Sequence, residues 1–360
     1  MPGFRALIVG DRCQPLPSLP ARRGRCIASA LGKVQIKKIM AEDAEIRLDR
    51  WFRRHFPRLG HNRLEKLLRT GQIRLDGKRA SAGDHISAGQ EVRVPPLPED
   101  QAPPAKREYQ PKLQDIAQIE RAILYRDDDV MVIDKPPGLA VQGGTATELH
   151  LDAMLDELRF GADERPRLVH RLDKDTSGTL VLARSARAAR FLTGAFREKT
   201  ARKIYWAAVV GLPSPRQGRI DRRLAKMPGP QGERVIEEAD EGKRAITDYR
   251  TVAHAGDKIA WIAMNPITGR THQLRAHMAA IGTPILGDRK YGAAAAHPSG
   301  IADARKLHLH ARAIAIPLPN HRTLRVIAPL PPHMARTWKF LGFDQAEARD
   351  PFAGFVDDVA

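Results

Sequence analysis

From Glu45 the chain takes on a helical rhythm. Leu48, Trp51, Phe52, His55 and Phe56 recur at i, i+3, i+4, i+7 and i+8, the spacing of an amphipathic helix. Leu64, Leu67 and Leu68 form a second, shorter stripe that ends at Gly71, a residue suited to the position after a helix. The period then changes to two. "QIRLDGKRA" alternates Ile73 and Leu75 with polar residues and turns at Asp76-Gly77, a hairpin signal, and Val92 and Val94 supply a further strand before Pro95-Pro96. The pattern predicts a small unit of two helices and short strands over residues 34–98.

The stretch "PPLPEDQAPPAKREYQPK" is too rich in proline for a helix or a central strand. It predicts a solvated linker, placed at 99–118, before a second domain at 119–343 and a tail at 344–360. That domain opens with "AILYRDDDVMVIDKPPGLAVQGG", an apolar strand, an acidic turn, a second strand and a Pro-Pro-Gly turn. Strands dominate the rest of the domain, with helices expected at 186–199, 271–282 and near 333–341. No regular βαβ alternation and no internal repeat is present, so the fold class is α+β on a mainly antiparallel, mixed sheet.

One polar string interrupts this pattern. In "LVHRLDKDTSGTLVLARS" the flanks Leu168-Val169 and Leu180-Val181-Leu182-Ala183 read as strand ends, and Lys174 to Gly178 reads as a turn. A loop held by a rigid sheet is a common place for catalysis. The same aspartates, Asp173 and Asp175, also fit a structural role as caps of the turn.

Charge changes the picture of the partner. The chain carries 60 Lys or Arg against 42 acids, a formal +18, and a surplus of that size points to a polyanion. Residues 45 to 95 place Arg50, Arg53, Arg54, Arg63, Lys66 and Arg69 on or between the two helices, where they fit either a phosphate-tracking face or a solvated one. The two cysteines, Cys13 and Cys26, lie in an Arg-rich start, 1–33, that has no helical or strand period and reads as disordered. The rest of the chain has no possible disulfide, which fits a reducing cytoplasm. No apolar run is long enough to span a bilayer, so no membrane association is expected.

Candidate chemistry narrows by elimination. His308 and His310 share one side of a strand, but His272 and His277 are five apart and no H-E-x-x-H pattern or cysteine ligand accompanies them, so no metal is expected. Ser177 lacks a G-x-S-x-G setting, and no phosphate-cradle or dinucleotide motif is present. What remains is carboxylate chemistry with arginine support and no cofactor.

Four islands together are specific. "HRLDKDTSG", "KIYWAAVVG", "TGRTHQLRAH" with "GTPILGDRKYG", and "LHLHA" resemble, in order and spacing, the motifs of the ribosomal and transfer RNA pseudouridine synthases. The resemblance covers residues 34 to about 341, and the small unit looks like the S4-type RNA-binding module that many members carry. The resemblance implies that Asp173 is the catalytic aspartate, Tyr205 the active-site tyrosine and Arg275 the arginine that pairs with the aspartate. It places Arg171, Arg270 and His272 on RNA, with Leu309 as a pocket wall and Asp175 structural.

The implied reaction isomerises uridine without redox change or energy input. Attack of the carboxylate on C1′ or C6 and a glycal route through C2′ stay open, with the family leaning to the glycal. The target base would be flipped from folded RNA at a cost of about a few kcal/mol.

"VQIKKIMAEDAEIRLDRWF" and "LAVQGGT" look most like the members acting on the ribosomal large subunit. The expected partner is therefore 23S ribosomal RNA or its large-subunit precursor, with transfer RNA as the alternative. A non-catalytic ribosome-assembly factor is the rival from the binding class. A monomer is expected. Asp134 and Gln142 stand where the family usually has asparagine and histidine, and Val34 is the expected true start.

Overall fold

The computed structural model describes residues 34–97, 111–143, 149–227, 234–238, 242–319, 322–348 and 352. The readings of residues 1–33, of Cys13 and Cys26, and of most of the linker and tail lie outside them. The chain divides into two compact units, Met1–Arg107 and Glu108–Ala360.

In the first unit, β1 (Gln35–Lys38) precedes α1 (Leu48–His55) and α2 (His61–Arg69), followed by β2 (Arg74–Leu75), β3 (Lys78–Arg79) and β4 (Glu91–Val94). The apolar stripes do what their spacing predicts. Leu48, Trp51, Phe52, Leu64 and Leu68 are buried against Ile73, Ile86, Val92 and Val94. The sheet order is β1-β4-β2-β3. β1 is an element the hydrophobic pattern does not show, because its residues are largely exposed and the strand is held by its antiparallel ladder to β4.

Asp43, buried beneath α1, engages Arg54 at 2.6 Å and His55. Burial favours its neutral form, but those two hydrogen bonds hold the carboxyl below its ordinary range.

The second unit begins earlier than expected. α3 (Leu113–Arg121) occupies the end of the predicted linker. The prolines stop at Pro111, Ile116 and Ile119 fall one helical turn apart, and Asp115 accepts the Lys112 N–H at 3.3 Å. There follow β5 (Ile123–Arg126), β6 (Val130–Lys135), β7 (Arg167–Leu168), β8 (Ser177–Ala183), α4 (Ala186–Arg197), β9 (Arg202–Val210), β10 (Gln217–Met227), β11 (Arg234–Glu237), β12 (Lys243–Ala255), β13 (Ile259–Pro266), α5 (Gln273–Ala280), β14 (Leu309–Pro317), β15 (Thr323–Ile327) and α6 (Pro332–Leu341).

These strands form one sheet in the order β11-β10-β12-β13-β9-β14-β8-β6-β5, with β15 on β14 and β7 on β8. β14 and β8 run parallel and the other pairs are antiparallel. The unit is α+β, as expected.

Alternation along β6 sends Met131 and Ile133 into one cluster with Leu180, Leu182 and Leu172, and Val130 and Val132 into another with Val181, Ala188 and Leu192 of α4. Further along the sheet Trp206, Trp261 and Trp338 of α6 meet edge to face at 4.6 and 5.5 Å. The residues expected as a tail begin with a helical turn, Gln345–Ala348, and Phe352 packs on this tryptophan cluster. No helix among the described residues is long and apolar enough to cross a membrane.

Candidate active site

The segment between β7 and β8 is fixed on several sides. Leu172 is buried in the apolar cluster beneath it. His170 stacks on Phe196 at 4.3 Å, and its Nε2 accepts the Val181 N–H at 2.8 Å. Burial, aided by the charge of Lys203, pushes this imidazole down to about 3, so it is neutral with its proton on Nδ1.

Lys135 holds the turn from within. Its buried Nζ donates to the carbonyls of Pro136, Leu139 and Lys174 at 2.9, 2.9 and 3.0 Å. Burial pushes the amine down to about 7, against the pull of Asp175, Asp173 and Asp134. Three carbonyl acceptors use all three N–H donors of the ammonium, so the geometry favours the charged form. Gly178, at φ +109°, lets β8 pass close to β14, where a Cβ would overlap the Ala311 carbonyl.

This scaffold brings Asp173 to the wall of a cleft of about 1180 Å³. The Asp173 carbonyl accepts the Thr176 N–H at 3.2 Å and so closes the turn. Among the described residues no turn amide bonds to the carboxylate, which is left to the cleft with 28% exposure. Among the described residues neither Asp173 nor Asp175 bonds a turn amide through its side chain.

Tyr205 of β9 and Leu309 of β14 line the same cleft. Tyr205 packs between two apolar clusters, and burial, with the negative charge of Asp173, raises its phenol well above the ordinary range. It is a neutral phenol, offering a ring face and a hydroxyl donor.

The loop before α5 is locked by Gln273. Its amide accepts from Thr268 Oγ1 at 2.6 Å and from the Arg270 N–H at 3.1 Å, and donates to the Ile246 carbonyl and to Thr247 at 2.9 Å each. Its neighbour His272 sits at φ +50°, a left-handed conformation costing roughly 1 kcal/mol. That backbone aims His272 Nε2 at Asp173 Oδ2, 4.0 Å away, with Nδ1 2.9 Å from the Tyr291 hydroxyl. The hydroxyl accepts the Val235 N–H at 3.0 Å, so its own proton is available to Nδ1 and the Nε2–H faces the carboxylate. Burial lowers the pKa of His272 despite the pull of Asp173.

Arg275 is expected to pair with Asp173, and here the structure differs. Its guanidinium makes two 2.8 Å bonds to Asp288, which also accepts the Lys290 and Tyr291 N–H groups at 3.0 Å. Burial works against the guanidinium, but the bonds and charge of Asp288, and then the charge of Asp173, raise its pKa above the ordinary value. Arg275 therefore acts on Asp173 through space, while a buried bidentate pair fixes its position.

Residues 129–280 match the family model described as RNA pseudouridylate synthase. The ribosomal large subunit pseudouridine synthase C of Escherichia coli (strain K12) is 35% identical over 266 residues, covering 72% of this chain and 80% of the relative. The chain belongs to the RNA pseudouridylate synthase family. The corresponding protein of Salmonella typhimurium is 34% identical over 309 residues, covering 82% of this chain and 93% of that one. The mitochondrial RNA pseudouridine synthase 4 of Arabidopsis thaliana is 32% identical over 375 residues, covering 81% and 78%. The solved structure of human RNA pseudouridylate synthase domain containing 4 overlays with a TM-score of 0.54 at 29% identity, covering 63% of this chain and 95% of that one. The protein is thus a pseudouridine synthase, an isomerase that acts on RNA.

Within this synthase the cleft brings together Asp173, Tyr205, Arg275, His272, Leu309, Arg171 and Arg270. Arg171 and Arg270 are exposed at its edge, and Arg270 Nε donates to the Arg244 carbonyl at 3.2 Å. Arg50, Arg53, Arg63, Lys66 and Arg69 are exposed on the helices of the first unit, whereas Arg54 is committed to Asp43.

His308 and His310 are fully buried, held by Thr337 at 2.8 Å and Ser177 at 2.9 Å, which removes them from RNA contact. Among the described residues no three His, Cys, Asp or Glu side chains group to hold a metal.

Sequence reasoning missed the supports: His170, Lys135, Gln273, Asp288 and Tyr291. All but Lys135 lie in the quoted islands, but their partners are distant in the chain and no local period reveals them.

Proposed function

We propose that this synthase converts specific uridines of 23S ribosomal RNA to pseudouridine, acting as a cytoplasmic monomer, with Asp173 as the catalytic carboxylate. The observation that carries the reading is the placement of Asp173 in the cleft, free of the turn's amides among the described residues, in a lining that also holds Tyr205 and the fixed charge of Arg275. The large-subunit names of the bacterial relatives support the choice of RNA.

In this reading Asp173 either adds to C1′ or C6 or takes the C2′ proton, and Arg275, fixed by Asp288 in the same cleft, supplies a stationary positive charge to it. The N1 to C1′ bond breaks, the uracil turns within the pocket and C5 bonds to C1′ as the bond to Asp173 is released or the C2′ proton is returned, and N1 gains a proton for the one lost from C5. Tyr205 stacks on the turning base, and its neutral hydroxyl relays the C5 proton rather than abstracting it as a phenolate. Leu309 supports the base on the apolar side. Arg171 and Arg270 at the edge grip phosphate or fill the space vacated by the flipped base.

The first unit fits an S4-like module that holds flanking RNA through Arg50, Arg53, Arg63, Lys66 and Arg69, by backbone and shape.

Pseudouridine mapping by carbodiimide-dependent primer extension, in a strain lacking the gene and in complemented strains, tests the assignment. Loss of 23S stops, restored by wild type and not by Asp173→Asn, is expected. An unchanged 23S map would overturn the choice of ribosomal RNA.

A further inference from the structure

A second cavity, of about 680 Å³, lies along α4 and is lined by Arg167, Arg190 and Arg197 with small residues between them. Its walls share Thr193 and Arg197 with the active-site cleft, so the two adjoin at the last turns of the helix. The spacing 186, 190, 193 and 197 puts one face of α4 along this groove, and the rise from Arg190 to Arg197 is about 10 Å. Among the described residues no acidic side chain lines it.

Glu164 engages Arg167 at 3.0 Å and accepts the Ala186 N–H at 2.8 Å at one end of the groove, and Glu198 engages Arg197 at 3.3 Å at the other. Both are surface pairs of low strength that a phosphate can replace. Arg190 makes no ion pair among the described residues.

The junction holds a second unusual cation. Lys203 is two residues before Tyr205 on β9, so both side chains project from the same face of the strand, and both line the cleft. Its Nζ stands 5.9 Å from the Phe196 ring, with no carboxylate in ion-pair contact among the described residues. Burial lowers its pKa. A half-buried cation with no carboxylate in ion-pair contact among the described residues, in the wall of a cleft that receives a polyanion, is placed to meet a phosphate.

We propose that the RNA strand on one side of the reacting uridine leaves the cleft over Lys203 and runs along α4, its phosphates lying against Arg197, Arg190 and Arg167. This rests on the reading of the cleft as the site of an RNA isomerase. It adds a direction to it: one flank of the substrate follows α4, and substrates that extend that way bind more tightly.

The test uses a fluorescein-labelled RNA hairpin carrying a modified uridine site, with and without short single-stranded extensions on either end, and measures Kd by anisotropy across salt. For wild type, one extension is expected to tighten binding roughly tenfold. In Arg167→Glu combined with Arg190→Glu, two surface changes, that gain disappears and the salt slope for the extended RNA falls by about one to two. Lys203→Met loses part of the same gain.

An extension gain equal in wild type and in the double variant would overturn the proposal and leave the groove to another occupant, such as an acidic protein. Pseudouridine formation is scored on the same hairpins. Product from wild type with an unchanged gain in the variant rejects the groove alone. Wild-type binding that responds as expected without any product would reject the enzymatic reading and retain the groove.

Discussion

His272 and Asp173 face each other across 4.0 Å, and the ring of His272 is oriented by the Tyr291 hydroxyl at its other nitrogen. His272 thus reads as a positioning residue for the carboxylate, tied through Tyr291 to the backbone of β11. In Tyr291→Phe the ring loses its holder. The single-turnover rate is expected to fall roughly tenfold while the Kd for RNA stays within about twofold. A rate equal to wild type in quench-flow measurement would show that the orientation of His272 does not matter.

The Arg275–Asp288 pair yields a stability prediction. Removing one partner leaves a buried charge uncompensated, so Asp288→Asn should cost about 3 kcal/mol, read as a lowered melting temperature. Removing the Arg275 charge as well, while an Asn oxygen still accepts the Lys290 and Tyr291 N–H groups, relieves that cost. The double variant Asp288→Asn with Arg275→Met is expected to melt above the single variant, though without activity. A double variant no more stable than Asp288→Asn would contradict this.

Much of this architecture was legible in the chain. The stripes at Leu48 to Phe56 and Leu64 to Leu68, the Asp76-Gly77 turn and the strands around His170 to Gly178 all appear where the periodicity predicts them, because each encodes its own burial pattern. β1 was not legible, because its exposed residues carry no stripe and its partner strand lies more than fifty residues away. The start of α3 was hidden for a different reason, since the prolines before it dominated the reading of the segment.

The site divides in the same way. Asp173, Tyr205 and Leu309 lie in recognisable motifs, whereas the partner of Arg275 did not follow from them. A guanidinium between two carboxylates chooses by burial and geometry. Asp288 is fully buried with two backbone N–H groups already aligned on it, while Asp173 remains partly open to the cleft.

Buried histidines set the acid limit of stability. Burial pushes His170 and His310 down to about 3 and His277 and His308 down to about 4, from an ordinary 6.5. Between 6.5 and these values the unfolded chain binds more protons than the folded one, so stability is present above about 6.5 and is lost as pH falls. The melting temperature should drop steeply from pH 6.5 to 4. A flat profile over that window would mean these rings are not held neutral in the fold.

Asp134 acts in the opposite direction. Burial, opposed by Lys135 and Arg312, raises its carboxyl from 3.8 to about 6, so its contribution is present below 3.8 and is lost as pH rises through 6. Asp134→Asn keeps the shape and removes the desolvated charge. It should stabilise the protein by about 1–2 kcal/mol at pH 8, allowing for partial solvent screening, and by about half as much at pH 5. An equal effect at both pH values would contradict the titration of Asp134 as its cause.

The most direct test of the catalytic assignment is release of tritium from C5 of [5-³H]uridine-labelled 23S RNA, measured with the Kd for the same RNA, for wild type and Asp173→Asn. Tritium release by wild type alone, with the two Kd values within a few-fold of each other because phosphate contacts dominate affinity, is the expected result. Release by Asp173→Asn at the wild-type rate would contradict the role of Asp173.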